Sequence, residues 1–325
     1  MAIYMVTGAA GFIANKVCAI LLEQGHTVVG LDNMNNSYDV RLKHWRLARL
    51  QQHPNFRFYQ QDVSDRAGLS AIFEAHAGIQ AVINLAARAG VRASVEDPWM
   101  FVETNLIGTL NLLEACRQRQ IGKFILASTS SIYGKDAPQP TPETASSDYP
   151  LQPYSASKKG AEAMCHSYHY LNDIDVTVVR YFTVYGPAGR PDMVMFRFLK
   201  WIAEGEPVRL NGDGEQSRGF TYLDDIARGT VAALKPLGYE IINLGGHEVI
   251  TINAMIHMLE EQLGKRAKIV HYPAHKADMN SNWADVTKAG RLLDWQPQVG
   301  LQEGIGRMVE WYLQEREWAS QVLTP

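Results

Sequence analysis

Near its start the chain reads Gly8-Ala9-Ala10-Gly11-Phe12-Ile13-Ala14, between an apolar run at residues 2–7 and a predicted helix at about residues 15–24. Glycines after a strand permit a tight turn and let the backbone approach a pyrophosphate, and the following helix N-terminus offers unpaired N–H groups. The next apolar run, residues 27–31, ends in Asp32, which is placed to bind the hydroxyls of an adenosine ribose. Because Asp32 would repel a 2′-phosphate, this pattern predicts a unit that binds NAD rather than NADP.

Strand and helix patterns go on alternating along the first half of the chain. Further strands are predicted at residues 56–60, 81–85, 123–127 and 175–180, and helices at 40–52, 99–117 and 154–170. Six strands alternating with helices indicate an α/β fold with a doubly wound parallel sheet of the Rossmann type.

The pattern changes after residue 180, where the chain becomes rich in glycine and proline. A strand-to-helix segment at residues 219–234 and a strand at 240–245 indicate a return to the first domain. Helices are predicted at 252–263, 286–293 and 301–315. We therefore predict a NAD-binding Rossmann domain at residues 1–180 plus about 219–248, and a smaller, discontinuous α/β substrate domain at 181–218 and about 249–325.

Composition excludes several classes of partner. The chain has 325 residues, 46% of them apolar and 20% charged, with a net charge of −3, so neither nucleic acid nor an anionic membrane is expected as the main partner. No apolar run approaches membrane-spanning length, and the first is too short for a signal peptide. Cys18, Cys116 and Cys165 lie far apart without metal-ligand spacing, which favours burial, no metal site and a reducing, cytoplasmic location.

The predicted helix at residues 40–52 is basic. Its charged residues are interpreted as a solvent-exposed face, as is usual for such runs: Arg41, Lys43, Arg46 and Arg49.

Polar residues also occur at or after the predicted strands. Asp62 follows the third strand and could meet an adenine, and Arg88 and Arg92 follow the fourth as candidates for an anionic partner, although surface arginines are common. Asn105 lies in the middle of the predicted helix at 99–117, where a polar side chain needs a partner or water.

A second motif lies in the segment Pro153-Tyr154-Ser155-Ala156-Ser157-Lys158-Lys159. Positions four apart share a helix face, so Tyr154 and Lys158 are expected to project side by side. A phenol has an unperturbed pKa of about 10, and a neighbouring cation lowers it toward neutrality. The strand before this helix ends in Ser128-Thr129-Ser130-Ser131, at the sheet edge where open α/β folds bind ligands.

Together, the glycine turn, the hydroxyl run ending in Tyr133-Gly134 and the Tyr154/Lys158 pair resemble the extended short-chain dehydrogenase/reductases, specifically nucleotide-sugar epimerases. The resemblance implies that Tyr154 is the acid/base, that Lys158 holds the nicotinamide ribose and lowers the pKa of Tyr154, and that Thr129 polarises the sugar hydroxyl. It also implies a UDP-sugar partner and a homodimer.

Finer motifs are similar to those of UDP-glucuronate 4-epimerases, namely residues 32–39, 89–92 and 183–193. UDP-galactose epimerases usually have Asn at the position of Thr183. A hydroxyl there and a nearby Arg190 suit a sugar that bears a carboxylate, because Arg offers a charge-assisted grip. A loop salt bridge is the competing interpretation of Arg190, and Arg92 is the other candidate for holding the carboxylate.

The resemblance thus implies two further sets of site residues. The cofactor set comprises Gly8, Gly11, Phe12, Ile13, Asp32, Asn33, Asn36, Asp62, Val63, Leu85, Ala86, Ala87, Asn105, Tyr154, Lys158 and Tyr181. The substrate set comprises Arg92, Thr129, Ser130, Ser131, Tyr154, Thr183, Arg190, Arg218 (diphosphate) and Asp278 (uridine ribose).

The reaction that the resemblance implies is reversible C4 epimerisation of UDP-glucuronate to UDP-galacturonate. A 4,6-dehydratase or a UDP-glucuronate decarboxylase is expected to carry an acidic residue beside Thr129, where this chain has Ser130-Ser131. A UDP-galactose or other UDP-hexose 4-epimerase is the nearest alternative. A non-catalytic dinucleotide-sensing regulator is the alternative from another class, and the joint presence of Thr129, Tyr154 and Lys158 counts against it.

Overall fold

The computed structural model describes residues 1–246, 248–273 and 281–324. Its strands are β1 (Ile3–Thr7), β2 (Thr27–Asp32), β3 (Phe56–Gln60), β4 (Ile79–Asn84), β5 (Lys123–Thr129), β6 (Asp175–Tyr181), β7 (Thr183–Tyr185), β8 (Pro207–Asn211), β9 (Ser217–Tyr222), β10 (Tyr239–Leu244), β11 (Glu248–Thr251), β12 (Lys268–Tyr272) and β13 (Ser281–Asn282).

Helices connect and cover these strands. They are α1 (Phe12–Glu23), α2 (Val40–Gln51), α3 (Arg66–Ala75), α4 (Val91–Glu96), α5 (Pro98–Phe101), α6 (Gly108–Arg119), α7 (Pro153–Asn172), α8 (Val194–Glu204), α9 (Leu223–Ala232), α10 (Ile252–Leu263), α11 (Thr287–Leu293), α12 (Leu301–Gln314) and α13 (Arg316–Ala319). Val102–Ile107 is π-helical and Ser130–Tyr133 is a 3₁₀ turn.

The large sheet has seven parallel strands in the order β10-β6-β5-β4-β1-β2-β3. The order runs outward in both directions from the β1–β4 pair, so the crevice beyond the carboxyl ends of these two strands is the topological switch point where such sheets bind ligands. The strands are nearly continuous apolar runs because helices cover both faces of a parallel sheet. The predicted doubly wound Rossmann fold is confirmed.

One predicted helix differs in the structure. The segment predicted as a single helix at residues 99–117 is divided into α5, the π-helical segment Val102–Ile107 and α6. The wider π turn contains Asn105, whose side chain is buried and bonded to a neighbouring loop. Such turns are common where a functional side chain must be displaced from the regular helical path, and apolar periodicity alone does not reveal them.

The remaining strands form two small sheets. One has the order β11-β9-β13 with β7 also paired to β9, and the other joins β8 and β12. An aromatic core lies among α8, α10 and α12 and includes Phe196, Trp201, Trp311 and Tyr312. The described part of the chain contains no helix long and apolar enough to cross a membrane.

Candidate active site

The glycine turn packs closely against the loop that follows β4. Gly8 has φ +72°, and a Cβ there would lie 3.0 Å from Cα of Ala86, which follows β4. The N–H of Gly11 donates to the carbonyl of Gly8 at 2.7 Å, and α1 then begins at Phe12 without a side-chain cap. The N–H groups of the first turn therefore remain available for an anion, so this turn fits the pyrophosphate of a dinucleotide.

Asp32 is buried at the carboxyl end of β2. Its Oδ2 accepts from the Ala10 N–H at 3.2 Å and its Oδ1 from the Met34 N–H at 2.8 Å. The ammonium of Lys43 lies 3.3 Å from Oδ1. The Asp32 carboxylate retains lone pairs that can accept from a ribose diol. A buried cation, Lys43, lies beside it, and the sequence did not indicate this neighbour.

A polar cluster surrounds the predicted adenine position. The Asn33 side chain donates to Asp62 at 2.5 Å, and the Ser64 N–H and hydroxyl donate to the same carboxylate at 2.8 and 2.7 Å. Burial alone would raise the pKa of Asp62, but these bonds outweigh it and lower that pKa. The Arg88 guanidinium donates to Ser37 beside this cluster, so Asp62 is held as an anion with fixed oxygens.

The other predicted cofactor residues are distributed around the same edge of the sheet. Phe12 and Val63 are buried, Ile13, Leu85 and Ala86 are half-buried, and Asn36 and Ala87 are exposed. Tyr181, at the end of β6, is buried with its hydroxyl 2.8 Å from that of Thr230.

Asn105 connects the loop after β4 to α7. Its side-chain amide accepts from the Arg88 N–H at 2.9 Å and donates to the Arg88 carbonyl at 3.0 Å. It also donates to the Ser157 hydroxyl at 2.9 Å, and Ser157 in turn donates to the Tyr154 carbonyl at 2.8 Å. Asn105 thus positions both the loop and the helix that carries Tyr154.

Tyr154 and Lys158 face β5 from one side of α7. The Tyr154 hydroxyl lies near Thr129, and the Lys158 ammonium donates to the Ala127 carbonyl at 2.9 Å. Tyr154 and Lys158 are four residues apart on α7, and the residues that they meet on β5, Thr129 and Ala127, are two residues apart. Each spacing returns the chain to the same face of its element, so the two contacts lie side by side. Thr129 Oγ1 also accepts from the Ser131 N–H at 3.2 Å.

The electrostatics of this pair differ from the sequence-based expectation. Burial raises the pKa of Tyr154, while the hydrogen bond from Thr129 and the charge of Arg190 oppose that rise. Burial lowers the pKa of Lys158 to about 8, against the nearby charge of Glu162. The charge that opposes the rise is that of Arg190, while the Lys158 ammonium donates to the Ala127 carbonyl.

A buried ionic network lies below the site, and the sequence analysis missed it. Glu162 accepts from Arg180 at 2.9 and 2.7 Å and from the Ser128 hydroxyl at 2.5 Å. Arg180 also donates to the Tyr133 hydroxyl at 2.9 Å, and Tyr133 donates to Asn243 at 2.7 Å. The sequence does contain one indication of this network, because Glu162 lies one turn beyond Lys158 on the same helix face.

The interpretation of α2 as a solvent-exposed basic face is wrong for two residues. Lys43 and Arg46 are 4% and 2% exposed. Arg46 donates to the Ala10 carbonyl at 3.1 Å, to the Ala188 carbonyl at 2.5 Å and to the Tyr38 hydroxyl at 2.7 Å. It therefore ties the glycine turn to the loop before Arg190, and the carbonyls compensate the burial of its charge.

Arg190 lies in the turn before α8. It forms a two-point salt bridge with Asp192, at 3.0 Å from Nε and 2.5 Å from Nη2, and it is close enough to Tyr154 for their charges to interact. Both interpretations of Arg190 are therefore compatible with the structure. Thr183 is half-buried at the start of β7.

The remaining predicted substrate residues lie on different elements of the fold. Arg218 pairs along β9 with Asn282, whose side chain donates to the Ser130 hydroxyl at 3.2 Å, so this strand adjoins the hydroxyl run. Arg92 is on the exposed surface of α4. Asp278 lies outside the described residues.

Comparisons with known proteins agree with this geometry. Residues 4–245 match the profile of the NAD dependent epimerase/dehydratase family. A UDP-glucuronate 4-epimerase of Thermodesulfobacterium geofontis is 55% identical over 312 residues, 96% of each chain. The UDP-glucuronic acid 4-epimerase of Bacillus cereus, solved with UDP-glucuronic acid and NAD, has a TM-score of 0.88 at 38% identity, covering 96% of this chain and 99% of that one.

A UDP-glucose 4-epimerase of Thermotoga maritima, solved with UDP-glucose, gives a TM-score of 0.89 at 34% identity and covers 97% of this chain and 99% of that one. The structural likeness therefore extends to enzymes of both charged and neutral sugars. The chain belongs to the NAD dependent epimerase/dehydratase family.

Proposed function

We propose that this protein catalyses the reversible C4 epimerisation of UDP-glucuronate to UDP-galacturonate. The observation that carries this proposal is a cation, Arg190, close enough for its charge to act on the phenol of Tyr154, which lies near Thr129. The 55% identity to a UDP-glucuronate 4-epimerase supports the same substrate. A base for the 4-hydroxyl and a cation for the neighbouring carboxylate are the two groups that such a sugar requires.

Each of these residues has a distinct part in the reaction. NAD, when bound, accepts the C4 hydride and returns it to either face of the sugar. Tyr154 takes the proton of the 4-hydroxyl and gives it back, while Thr129 fixes the direction of that hydroxyl. Lys158 lies one turn from Tyr154 and holds the nicotinamide ribose. Gly8, Gly11 and the N-terminus of α1 hold the pyrophosphate.

The carboxylate must also be restrained. The intermediate is a 4-ketone β to the carboxylate, and it loses CO2 when the bond from C5 to the carboxylate carbon aligns with the carbonyl π system. An epimerase therefore has to hold the carboxylate near the ring plane. The residues proposed to do this are Ser130, Ser131, Thr183 and Arg190.

A UDP-hexose 4-epimerase is the second candidate, favoured by the likeness to the UDP-glucose enzyme of Thermotoga maritima. An unpaired Arg190 would reject a neutral sugar strongly. Here Asp192 already pairs with Arg190, so we expect discrimination against neutral sugars to be moderate and not absolute.

Product analysis decides between these candidates. Purified protein with NAD is incubated separately with UDP-glucuronate, UDP-galactose and UDP-xylose, and the nucleotide sugars are resolved chromatographically. UDP-galacturonate formed at the highest kcat/KM supports the proposal. A higher kcat/KM for UDP-galactose would assign the protein to the neutral-sugar epimerases instead.

The pair Asp32 and Lys43 leads to a prediction about the cofactor. We expect cofactor-stripped parent protein to prefer NAD, and Asp32→Ser to shift the NAD/NADP ratio of kcat/KM toward NADP by ten- to a hundredfold. The reason is that Lys43, 3.3 Å from Asp32, becomes a free cation for the 2′-phosphate, and a charge-assisted hydrogen bond contributes about 1.5–3 kcal/mol. The double variant Asp32→Ser/Lys43→Met is the control and should lose this gain. A parent that prefers NADP would show that the proposed role of Asp32 is wrong.

We also propose that the protein forms a homodimer through the helices beside α7. Large apolar side chains are exposed there, on α4, α5, the π-helical segment and the C-terminal end of α7: Val95, Trp99, Val102, Ile107, Tyr170 and Leu171. A second copy of the same helices would cover them, as isologous interfaces do.

Trp99→Glu tests this interface. Trp99 is 73% exposed in the single chain, so its replacement should not affect the fold. Loss of a central aromatic typically costs at least about 2 kcal/mol of binding, so the dimer dissociation constant should rise roughly thirtyfold or more in sedimentation velocity. Leu313→Glu, at an exposed apolar position on α12, is the control. Dissociation by Leu313→Glu but not by Trp99→Glu would place the interface elsewhere.

The proposed domains are residues 1–180 plus about 219–248 for NAD, and 181–218 with about 249–325 for the nucleotide sugar. The membership of β10 in the large sheet and of β11 in a small one supports a boundary near residue 248. The pairing of β9 with β7 and β11 in the small sheet moves the preceding boundary from residue 218 to the end of β9 at Tyr222. A reducing compartment, the cytoplasm, suits the buried free thiols of Cys18, Cys116 and Cys165.

A further inference from the structure

Asp192, the carboxylate that pairs with Arg190, takes no part in the proposed reaction. Asp192 lies two residues before the first residue of α8, next to the N-cap position, which Met193 occupies. The structure gives that helix no side-chain cap, and the Asp192 carboxylate instead spans Nε and Nη2 of Arg190. The carboxylate is therefore directed to the guanidinium and not to the helix end.

The loop that holds this ion pair is fixed against the cofactor turn. Arg46 donates to the Ala188 carbonyl at 2.5 Å and to the Ala10 carbonyl at 3.1 Å. A Cβ on Gly189 would lie 3.8 Å from the Phe12 ring. The position of Arg190 near Tyr154 is thus set by its backbone, while Asp192 sets the orientation and net charge of its side chain.

The described residues provide no hydrogen-bond acceptor for Nη1 of Arg190. A two-point bond to Asp192 leaves that nitrogen and the second hydrogen of Nη2 to another acceptor. The Arg190 and Asp192 side chains are 25% and 33% exposed, so a ligand can reach the pair.

We propose, on the basis of the proposed function, that Asp192 is a specificity-determining positioning residue that acts as an internal counter-ion to Arg190. With a neutral sugar, Arg190 remains paired to Asp192, so such a sugar is tolerated. With a uronic acid, the sugar carboxylate has to share the guanidinium with Asp192, so Asp192 competes for the hydrogen bonds of Arg190 and weakens binding. Asp192 therefore reduces the preference of the site for anionic sugars.

The same ion pair is coupled to the catalytic base. The Arg190 charge opposes the rise in the pKa of Tyr154, and burial, which alone would lower the pKa of Arg190, is outweighed by Asp192. Among the described residues, Arg190 acts on Tyr154, Asp192 and Tyr38 act on Arg190, and Lys158 lies one turn from Tyr154 on α7. Loss of the Asp192 charge leaves Arg190 uncompensated, so the phenolate of Tyr154 should be favoured at lower pH.

The experiment measures dissociation constants of UDP-glucuronate and UDP-glucose by calorimetry on NAD-loaded protein. Asp192→Asn should raise the ratio of the UDP-glucose constant to the UDP-glucuronate constant by about three- to tenfold, and the rise should shrink in 1 M salt. Asp192→Ser, which also lacks the charge, should act in the same direction. Glu303→Gln, which breaks the exposed pair with Arg307 on α12, is the matched control and should leave the ratio unchanged.

A double-mutant cycle identifies the route of the effect. In an Arg190→Ala background, Asp192→Asn should change the ratio less than twofold, and an equal rise there would overturn the proposal because Asp192 would then act directly on the sugar. An unchanged or lower ratio in Asp192→Asn alone would overturn it as well. The acid limb of the kcat/KM profile should also move to lower pH in Asp192→Asn, and no movement counts against the coupling to Tyr154.

Binding and turnover separate this proposal from the proposed function. A parent protein that binds both sugars but does not epimerise UDP-glucuronate would refute the proposed function, while the ratio of constants would still test Asp192. A parent that epimerises UDP-glucuronate, with a ratio insensitive to Asp192→Asn, would refute only the role of Asp192.

Discussion

Tyr154→Phe should abolish nearly all turnover while leaving NAD bound. Phenylalanine keeps the ring in place but removes the hydroxyl near Thr129, so no group remains to take the proton of the 4-hydroxyl. A positioned acid/base group typically contributes 10²–10⁴-fold, and kcat should fall by that factor. Product chromatography measures the turnover, and NAD released by acid measures the cofactor content.

A matched variant is needed because losing any buried phenol hydroxyl affects stability. The Tyr312 hydroxyl donates to Glu204 at 2.9 Å within the aromatic core of α8 and α12, away from the site. Tyr312→Phe should lower the melting temperature by a few degrees and leave kcat unchanged. Activity of Tyr154→Phe within about tenfold of the parent would mean that another residue takes the proton.

The sequence was sufficient for the large sheet and for the position of the site within it. Its inner strands are buried on both faces, so apolar runs such as β6, Asp175–Tyr181, mark their bounds directly. α3 was missed, although Asp65 caps it and Leu69, Ile72 and Phe73 form its buried face. Short amphipathic helices of this kind carry a weaker signal than buried strands.

The charges within the site could not be predicted in the same way. Arg46 contacts Ala188 across 142 positions in sequence, and a basic run without such partners would be solvent-exposed. The spacing of Tyr154 and Lys158 predicts a shared helix face, but it does not predict that the Lys158 ammonium meets a β5 carbonyl. Local spacing determines which face of a helix a side chain occupies, whereas the tertiary packing of the opposite strand determines which atom it meets.

The outcome for Arg190 decides the sugar class. Arg190→Ala should raise the dissociation constant of UDP-glucuronate ten- to a hundredfold while leaving that of UDP unchanged, since a charge-assisted hydrogen bond contributes about 1.5–3 kcal/mol. The effect should lie near the lower end, because the Arg190 side chain is 25% exposed and water screens its charge. Calorimetry with the two ligands measures both constants.

The Arg190→Ala variant also leaves the Asp192 carboxylate without its partner. The double variant Arg190→Ala/Asp192→Asn removes that unpaired charge, and its dissociation constant for UDP-glucuronate should lie within about twofold of that of Arg190→Ala. Arg190→Lys keeps the charge but not the two-point geometry, and it should recover part of the affinity.

Loss of Arg190 should also change the products. Without the cation, the carboxylate of the 4-keto intermediate can rotate out of the ring plane. The bond from C5 to the carboxylate carbon then breaks, its electron pair enters the enolate at C4, and protonation at C5 gives a UDP-4-keto-pentose and CO2. The cofactor is then left as NADH, so the absorbance of reduced nicotinamide should rise as the side product forms. Unchanged glucuronate affinity together with no CO2 release would remove the basis for a uronic-acid substrate, and the protein would then be a UDP-hexose epimerase.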